Sequence, residues 1–208
     1  MIMKICKILL HQSNPFPLDG VSIGRKIACS GKTRLWAERS GTGFDTVIIH
    51  YISAVERDEK RKFELAPILE ILCDYGVSSH FLIDREGKVY QLVPVENKAW
   101  HCGASIMPPP DRRKGVNEFS VGVELIATHH SGFTDMQYRS LAILCKYLQA
   151  QCGKELNYLG HSDIAGEKAV EMGLREDKKP DPGPLFNWHK FMQLLDIVRL
   201  PNIEFICE

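Results

Sequence analysis

Two short runs constrain the fold most. Thr46-Val47-Ile48-Ile49-His50 is β-branched and apolar up to a terminal histidine, and Val121-Gly122-Val123-Glu124-Leu125-Ile126-Ala127 is apolar except for one glutamate. Neither alternates apolar and polar residues as a strand wetted on one face does, so both read as strands of a covered sheet. A carboxylate inside such a run is costly to bury without a partner. An edge strand with Glu124 facing water is one reading. Gly122 and Ile126, which share its face, favour a covered face and a functional carboxylate.

Other segments supply the layers around that sheet. Residues 79–84 and 88–93 flank Arg85-Glu86-Gly87 and read as a β-hairpin, with glycine at the turn. A helix is expected from Asp58 to about Tyr75, interrupted or restarted at Pro67. Thr134 and Gln137 form a capping box for a helix running to about Gln151, striped by Leu141, Leu144, Cys145 and Leu148 and ended by Gly153. Asn187 caps a last helix carrying Phe191, Leu194, Leu195 and Val198. The proline-rich, basic stretch at 107–115 is expected to be an exposed loop. With no internal repeat or linker in 45–200, the economical architecture is one α/β domain, a mixed central β-sheet flanked by helices. Residues 1–44, rich in turn residues, read as a loop-rich lead-in.

Charge and composition bound the partners. Twenty-six basic residues balance twenty-six acidic ones, so no global field favours nucleic acid or an anionic membrane, and specificity must be local. No apolar stretch approaches the roughly 20 residues that span a bilayer. Lys4 and Lys7 interrupt the first residues, which lack the apolar region of a signal peptide. Seven scattered cysteines, an odd number with no Cys-x-x-Cys pair, suit a reducing compartment. The expectation is a cytoplasmic monomer with no nucleic-acid or membrane partner.

Among eight histidines, His50 stands out at the end of its strand and His161 after Leu159-Gly160, together with Asp181 inside Lys179-Pro180-Asp181-Pro182-Gly183-Pro184. Two histidines and a carboxylate satisfy the ligand count of a catalytic zinc with one open position. They lie far apart in sequence, and spacing alone does not join them. A rigid turn is the alternative for Asp181.

Six segments, taken together, resemble a known family. They are Val47-Ile48-Ile49-His50, residues 77–87, Ala99-Trp100-His101-Cys102-Gly103, residues 117–125, Gly160-His161-Ser162-Asp163-Ile164-Ala165, and residues 179–184. Their order over about residues 45–195 is similar to that of AmpD-like, type 2 N-acetylmuramoyl-L-alanine amidases, zinc hydrolases related to phage amidases and peptidoglycan recognition proteins. The resemblance implies Zn2+ held by His50, His161 and Asp181, Glu124 as the catalytic carboxylate and Lys179 as a catalytic cation. Trp100 and His101 fall at a substrate wall, or alternatively are a buried tryptophan and a satisfied histidine. The implied substrate is a muropeptide or peptidoglycan, cut between the lactyl group of N-acetylmuramic acid and L-alanine. Recycling of 1,6-anhydro muropeptides is the favoured role. Lysis of intact peptidoglycan, a non-catalytic muropeptide-binding module and a structural zinc protein are the alternatives.

The chain departs from the family in two places. Residues 166–178 form a charged insertion between His161 and Asp181. The resemblance implies arginines for substrate carboxylates near positions where this chain has Gly76 and Gly115; Arg112, Arg113 or Lys114 is the candidate substitute, Arg113 foremost, with a solvated basic loop the favoured alternative for these three.

Overall fold

The computed structural model describes residues 2–10, 35–41, 43–200 and 202–207. In chain order the strands and helices are β1 (Ile2–Lys7), β2 (Trp36–Glu38), β3 (Thr46–Ile52), α1 (Leu65–Asp74), β4 (Phe81–Ile83), β5 (Val89–Gln91), β6 (Asn97–Ala99), β7 (Ser120–Ile126), α2 (Asp135–Cys152), β8 (Asn157–Gly160), α3 (His161–Ala165), α4 (Glu167–Glu171), α5 (Trp188–Ile197) and β9 (Asn202–Cys207).

Among the described residues the main sheet has seven strands in the order β8-β3-β7-β4-β5-β1-β9. Only β4 and β5 pair antiparallel within it, as the hairpin sequence predicts, and the other pairs are parallel. The sheet is therefore mixed, and β3 and β7 lie inside it, which explains their unbroken apolar runs. A separate antiparallel pair joins β2 to β6.

The two faces carry different partners. Val47, Ile49, Val121, Val123 and Leu125 pack with Leu141, Leu144, Leu148, Phe191 and Leu195, so α2 and α5 cover one face. On the other face Ile68, Leu69 and Leu72 of α1 pack with Leu82 and Leu92, and Ile164 and Ala165 of α3 pack with Ile48. The strand period of two then assigns His50 and Glu124 to the face shared by α1 and α3.

Helix α2 begins as its sequence dictates. Thr134 Oγ1 accepts from Gln137 N at 3.1 Å, and Gln137 Oε1 accepts from Thr134 N at 3.0 Å. The Gln137 amide also donates to Ile83 O and Ile126 O, so the cap ties the helix to the ends of β4 and β7. Gly153 ends the helix at φ 72°. Asn187 caps α5 by accepting from Lys190 N.

Three expectations change. The lead-in is not all loop: β1 is an interior strand between β5 and β9, with Ile5 and Cys6 buried, and Trp36–Glu38 forms β2. The lysines that break the apolar run in β1 belong to a short strand pattern, which turn residues further on obscured. Its turn-rich part, residues 11–34, lies outside the described residues. The sheet also extends past residue 200 through β9. Helix α1 begins only at Leu65, because Pro67 fits the first turn, where its missing N–H leaves no helical hydrogen bond unmade.

Replacing Thr134 with alanine removes one half of the capping box. The expected cost is about 1 kcal/mol, read as a lower urea midpoint at unchanged m-value; an unchanged midpoint contradicts the role given to the cap.

Candidate metal and active site

Parallel register gathers the site at one end of the sheet. His50 of β3 lies opposite Glu124 of β7, and Ile49 lies opposite Gly160 of β8, so His161, the next residue, falls beside His50. Three neighbouring parallel strands thus deliver three functional side chains at their carboxyl ends, the customary place for a site in such a sheet.

Asp181 arrives from the connection after α4. Ser162 N donates to Asp181 O at 2.8 Å and Lys179 N donates to Ala165 O at 3.0 Å, pinning residues 179–181 against α3. Gly160 makes this approach possible, since a Cβ there would sit 2.6 Å from Pro182 Cδ. The result is His50 Nδ1 at 2.9 Å and His161 Nδ1 at 3.2 Å from Asp181 Oδ2. One ligand atom from each of the three lies within 4.8 Å of the others.

The outer contacts show what this cluster suits. His161 Nε2 donates to Cys102 O at 3.1 Å, and because a carbonyl only accepts, a neutral His161 presents the Nδ1 lone pair to the Asp181 carboxylate. Two acceptors facing each other at that distance are relieved by a shared cation. His50 Nε2 meets His101 Nδ1 at 3.0 Å, so the ring that turns Nδ1 toward Asp181 is held from behind. Burial, followed by the neighbouring His161, pushes the His50 pKa down to about 4, leaving it neutral as a metal ligand must be. Burial works against the Asp181 carboxylate, but a proton on the facing His161 or His50 nitrogen outweighs it and keeps its pKa below the usual carboxylate range, a positive charge that a shared metal cation would supply in its place. The donor set of two imidazoles and one carboxylate fits zinc.

His101 is itself fixed. Its backbone N–H and that of Cys102 donate to Asn117 Oδ1 at 3.1 and 2.8 Å, and its Nε2 meets Ser120 Oγ at 3.2 Å. Its ring lies on Gly122, where a Cβ would come within 2.5 Å. The glycine in the apolar run is thus the seat of this imidazole. His80 is buried deeper, with Nδ1 accepting from Gly122 N at 2.9 Å, and supports β7.

Glu124 is 9% exposed, and its Oε2 has no hydrogen-bond partner among the described residues. Burial, reinforced by Asp181 and opposed by Lys179, raises its pKa well above the ordinary carboxyl value. A carboxyl so placed takes up a proton readily.

These groups open on a cavity of about 550 Å³ whose walls include Trp100, His101, Glu124, Lys179, Asp181 and Arg175. The structure therefore brings together His50, Trp100, His101, Glu124, His161, Lys179 and Asp181, but not Arg113. Its guanidinium pairs with Asp45 at 2.9 Å and Asp111 at 2.7 Å and stacks 3.9 Å over Phe119. Asp45 precedes β3 at the end opposite His50, so Arg113 braces the loop and does not line the cavity. Arg112 and Lys114 do not line it either. Sequence reasoning missed Tyr51, Asn117 and Arg175. Asn117 lay within a matched segment without a role, and nothing in the insertion's sequence singled out Arg175.

Residues 40–184 match the family described as N-acetylmuramoyl-L-alanine amidase. The chain belongs to that amidase family. It is 37% identical over 131 residues to the 1,6-anhydro-N-acetylmuramyl-L-alanine amidase AmpD of Escherichia coli strain K12, an alignment covering 62% of this chain and 64% of that protein. The chain thus spans somewhat less than two thirds of the length of that curated relative. The crystal structure of a selenomethionine AmpD derivative superposes with a TM-score of 0.61 at 29% identity, covering 77% of this chain and 90% of that one. E. coli AmiD, in complex with anhydro-N-acetylmuramic acid-L-Ala-D-gamma-Glu-L-Lys, superposes at 0.56 with 27% identity, covering 78% of this chain and 62% of AmiD. Both neighbours bear out the mixed sheet flanked by helices as the amidase fold.

Substituting Gly122 with alanine drives a methyl into the His101 ring. Overpacking of this kind costs about 1–3 kcal/mol, measured by urea unfolding of the metal-free chain, and a variant as stable as the parent contradicts the seat described for His101.

Proposed function

We propose that this member of the amidase family is a zinc-dependent hydrolase of muropeptides, cleaving the amide between the lactyl group of N-acetylmuramic acid and L-alanine in cell-wall recycling. The observation that carries the reading is the convergence of His50, His161 and Asp181 beside a buried, unpartnered Glu124 carboxyl. The names of the relatives support the bond and a 1,6-anhydro sugar, and the AmiD ligand supports a stem beginning L-Ala-D-γ-Glu.

His50 Nδ1, His161 Nδ1 and an Asp181 oxygen would hold the zinc. Bound with an open position, zinc supplies Lewis acidity and lowers the pKa of water from about 15.7 toward about 7. Glu124 takes the proton released as water attacks the lactyl carbonyl and delivers it to the departing alanine nitrogen. Its place on the cavity wall beside Asp181, with no partner for Oε2, suits both halves of that transfer. Negative charge grows on the former carbonyl oxygen, and the Lys179 ammonium on the cavity wall offsets it. Trp100 and His101 form the wall against which the sugar and peptide are held. His101 has a second duty, holding His50 in orientation.

A structural zinc site is closed by four protein ligands, whereas this cluster has three and opens on a cavity. A purely binding module has no use for an unpartnered buried carboxyl. Cys102, Cys145 and Cys152 carry free thiols, and no described helix is long and apolar enough to cross a membrane. The free thiols suit a reducing compartment, and with it a recycling enzyme rather than a lytic one.

Two variants test the mechanism. Glu124→Ala is expected to retain stoichiometric zinc and lose about 10²–10⁴-fold in turnover, with products of a defined anhydro-muropeptide followed by mass spectrometry. Near-normal turnover rejects Glu124 as the proton carrier. His161→Ala should lose both metal and activity, and one zinc per chain by elemental analysis would remove it from the ligand set. Faster release of product from intact sacculi than from anhydro-muropeptides would make the enzyme lytic instead.

A further inference from the structure

The insertion at 166–178 is an ordered strap on the cavity. Its ends meet where Lys179 N donates to Ala165 O, and inside it Leu174 N donates to Ala169 O at 2.9 Å, with Gly173 turning the chain at φ 66°. Arg175 follows that turn, is half-buried and lines the same cavity as His161, Glu124 and Lys179. Its Nη1 donates to Ala104 O at 3.4 Å, and its Nε donates to Asp177 O. The side chain thus reaches from the strap to the segment just after His101 and Cys102, which also lines the cavity.

The pairing of Arg175 differs from that of several other arginines of the chain. Arg57, Arg61 and Arg113 each hold a carboxylate of this chain, whereas among the described residues Arg175 holds none. A guanidinium offers five N–H groups in a planar fork, and the two backbone carbonyls use two of them. Backbone carbonyls orient the fork without neutralising it. The cavity's carboxylates are engaged elsewhere, Asp181 with the two histidines and Glu124 buried under its raised pKa. Lys179 sits close enough to influence both Glu124 and His50 electrostatically, so its charge belongs to the reacting end. Arg175 is the cation left for the substrate.

We propose that Arg175 is a specificity-determining residue that binds a free carboxylate of the stem peptide. A γ-linked glutamate carries a free α-carboxylate, and the stem's last residue carries another. The planar fork matches either in a bidentate pair. This assignment rests on the muropeptide-amidase reading. It also gives the insertion a function, carrying into the cavity the cation that Arg113, committed to Asp45 and Asp111, does not provide.

The test compares the zinc-loaded parent with Arg175→Ala, Arg175→Lys and Lys168→Ala on three anhydro-muropeptides: both carboxylates free, the glutamyl α-carboxylate amidated, and the C-terminal carboxylate amidated. Lys168 is exposed on the same strap and pairs with Glu171, so its variant removes the same charge away from the cavity. Calorimetric binding of each substrate in a Glu124→Gln background gives a readout independent of turnover. The parent is expected to lose about tenfold in kcat/KM, chiefly through KM, when the recognised carboxylate is amidated. Arg175→Ala should lose a similar factor on the free acid and little on that amide, Arg175→Lys should fall between, and Lys168→Ala should match the parent. The amide that erases the difference identifies which carboxylate is held. Equal losses on acid and amide forms, no loss, or the same loss with Lys168→Ala overturn the assignment while leaving the amidase intact. Failure of the parent to cut any of the three sinks the amidase reading and the assignment with it.

Discussion

The parallel pairing of β3 with β7, and of β3 with β8, is the constraint on which the rest depends. It sets His50 against Glu124 and brings His161 alongside. A slip of one residue in β7 would turn Glu124 to the face covered by α2 and α5, among Leu141 and Leu144, where a carboxyl has neither water nor a cation. The apolar residues on that face hold the register, so packing far from the chemistry determines the spacing of the groups that perform it. The cost of keeping Glu124 dry falls on the same sheet and reappears as its raised affinity for a proton.

A second layer of contacts makes the cluster specific. Asn117 holds the backbone at His101 and Cys102, Gly122 leaves room for the His101 ring, and Cys102 O fixes the tautomer of His161. Arg39 anchors this layer by donating to Val95 O, Asn117 O, Glu118 O and Ser120 O. With its pKa lowered to about 10 by burial, it is a structural cation that satisfies the turn entering β7. The imidazoles are thus oriented through the backbone entering β7 and at Cys102, and no single ligand sets its own geometry.

Much of the fold was legible because its signals are local. The Thr134 capping box, the Asn187 cap, the Arg85-Glu86-Gly87 hairpin and the unbroken runs of β3 and β7 each follow from neighbouring residues. Strand β1 was lost among turn residues because six residues interrupted by lysine carry little periodic signal, and its pairing with β5 and β9 is non-local. The ligands and Glu124 were visible chiefly through motif resemblance. Arg113 was misplaced because a basic loop advertises charge but not its direction, and here Asp45 and Asp111 claim that charge.

The sequence by itself determined the amidase motifs, the helix caps and the one carboxylate set in an apolar strand, because each is written in residues close along the chain. Tertiary structure alone decided that His50, His161 and Asp181 share one point, that Gly122 is a seat for an imidazole, and that Arg175 rather than Arg113 faces the cavity. Those outcomes depend on strand register and on how an insertion closes over a sheet edge, and both are fixed by contacts between residues far apart in the chain.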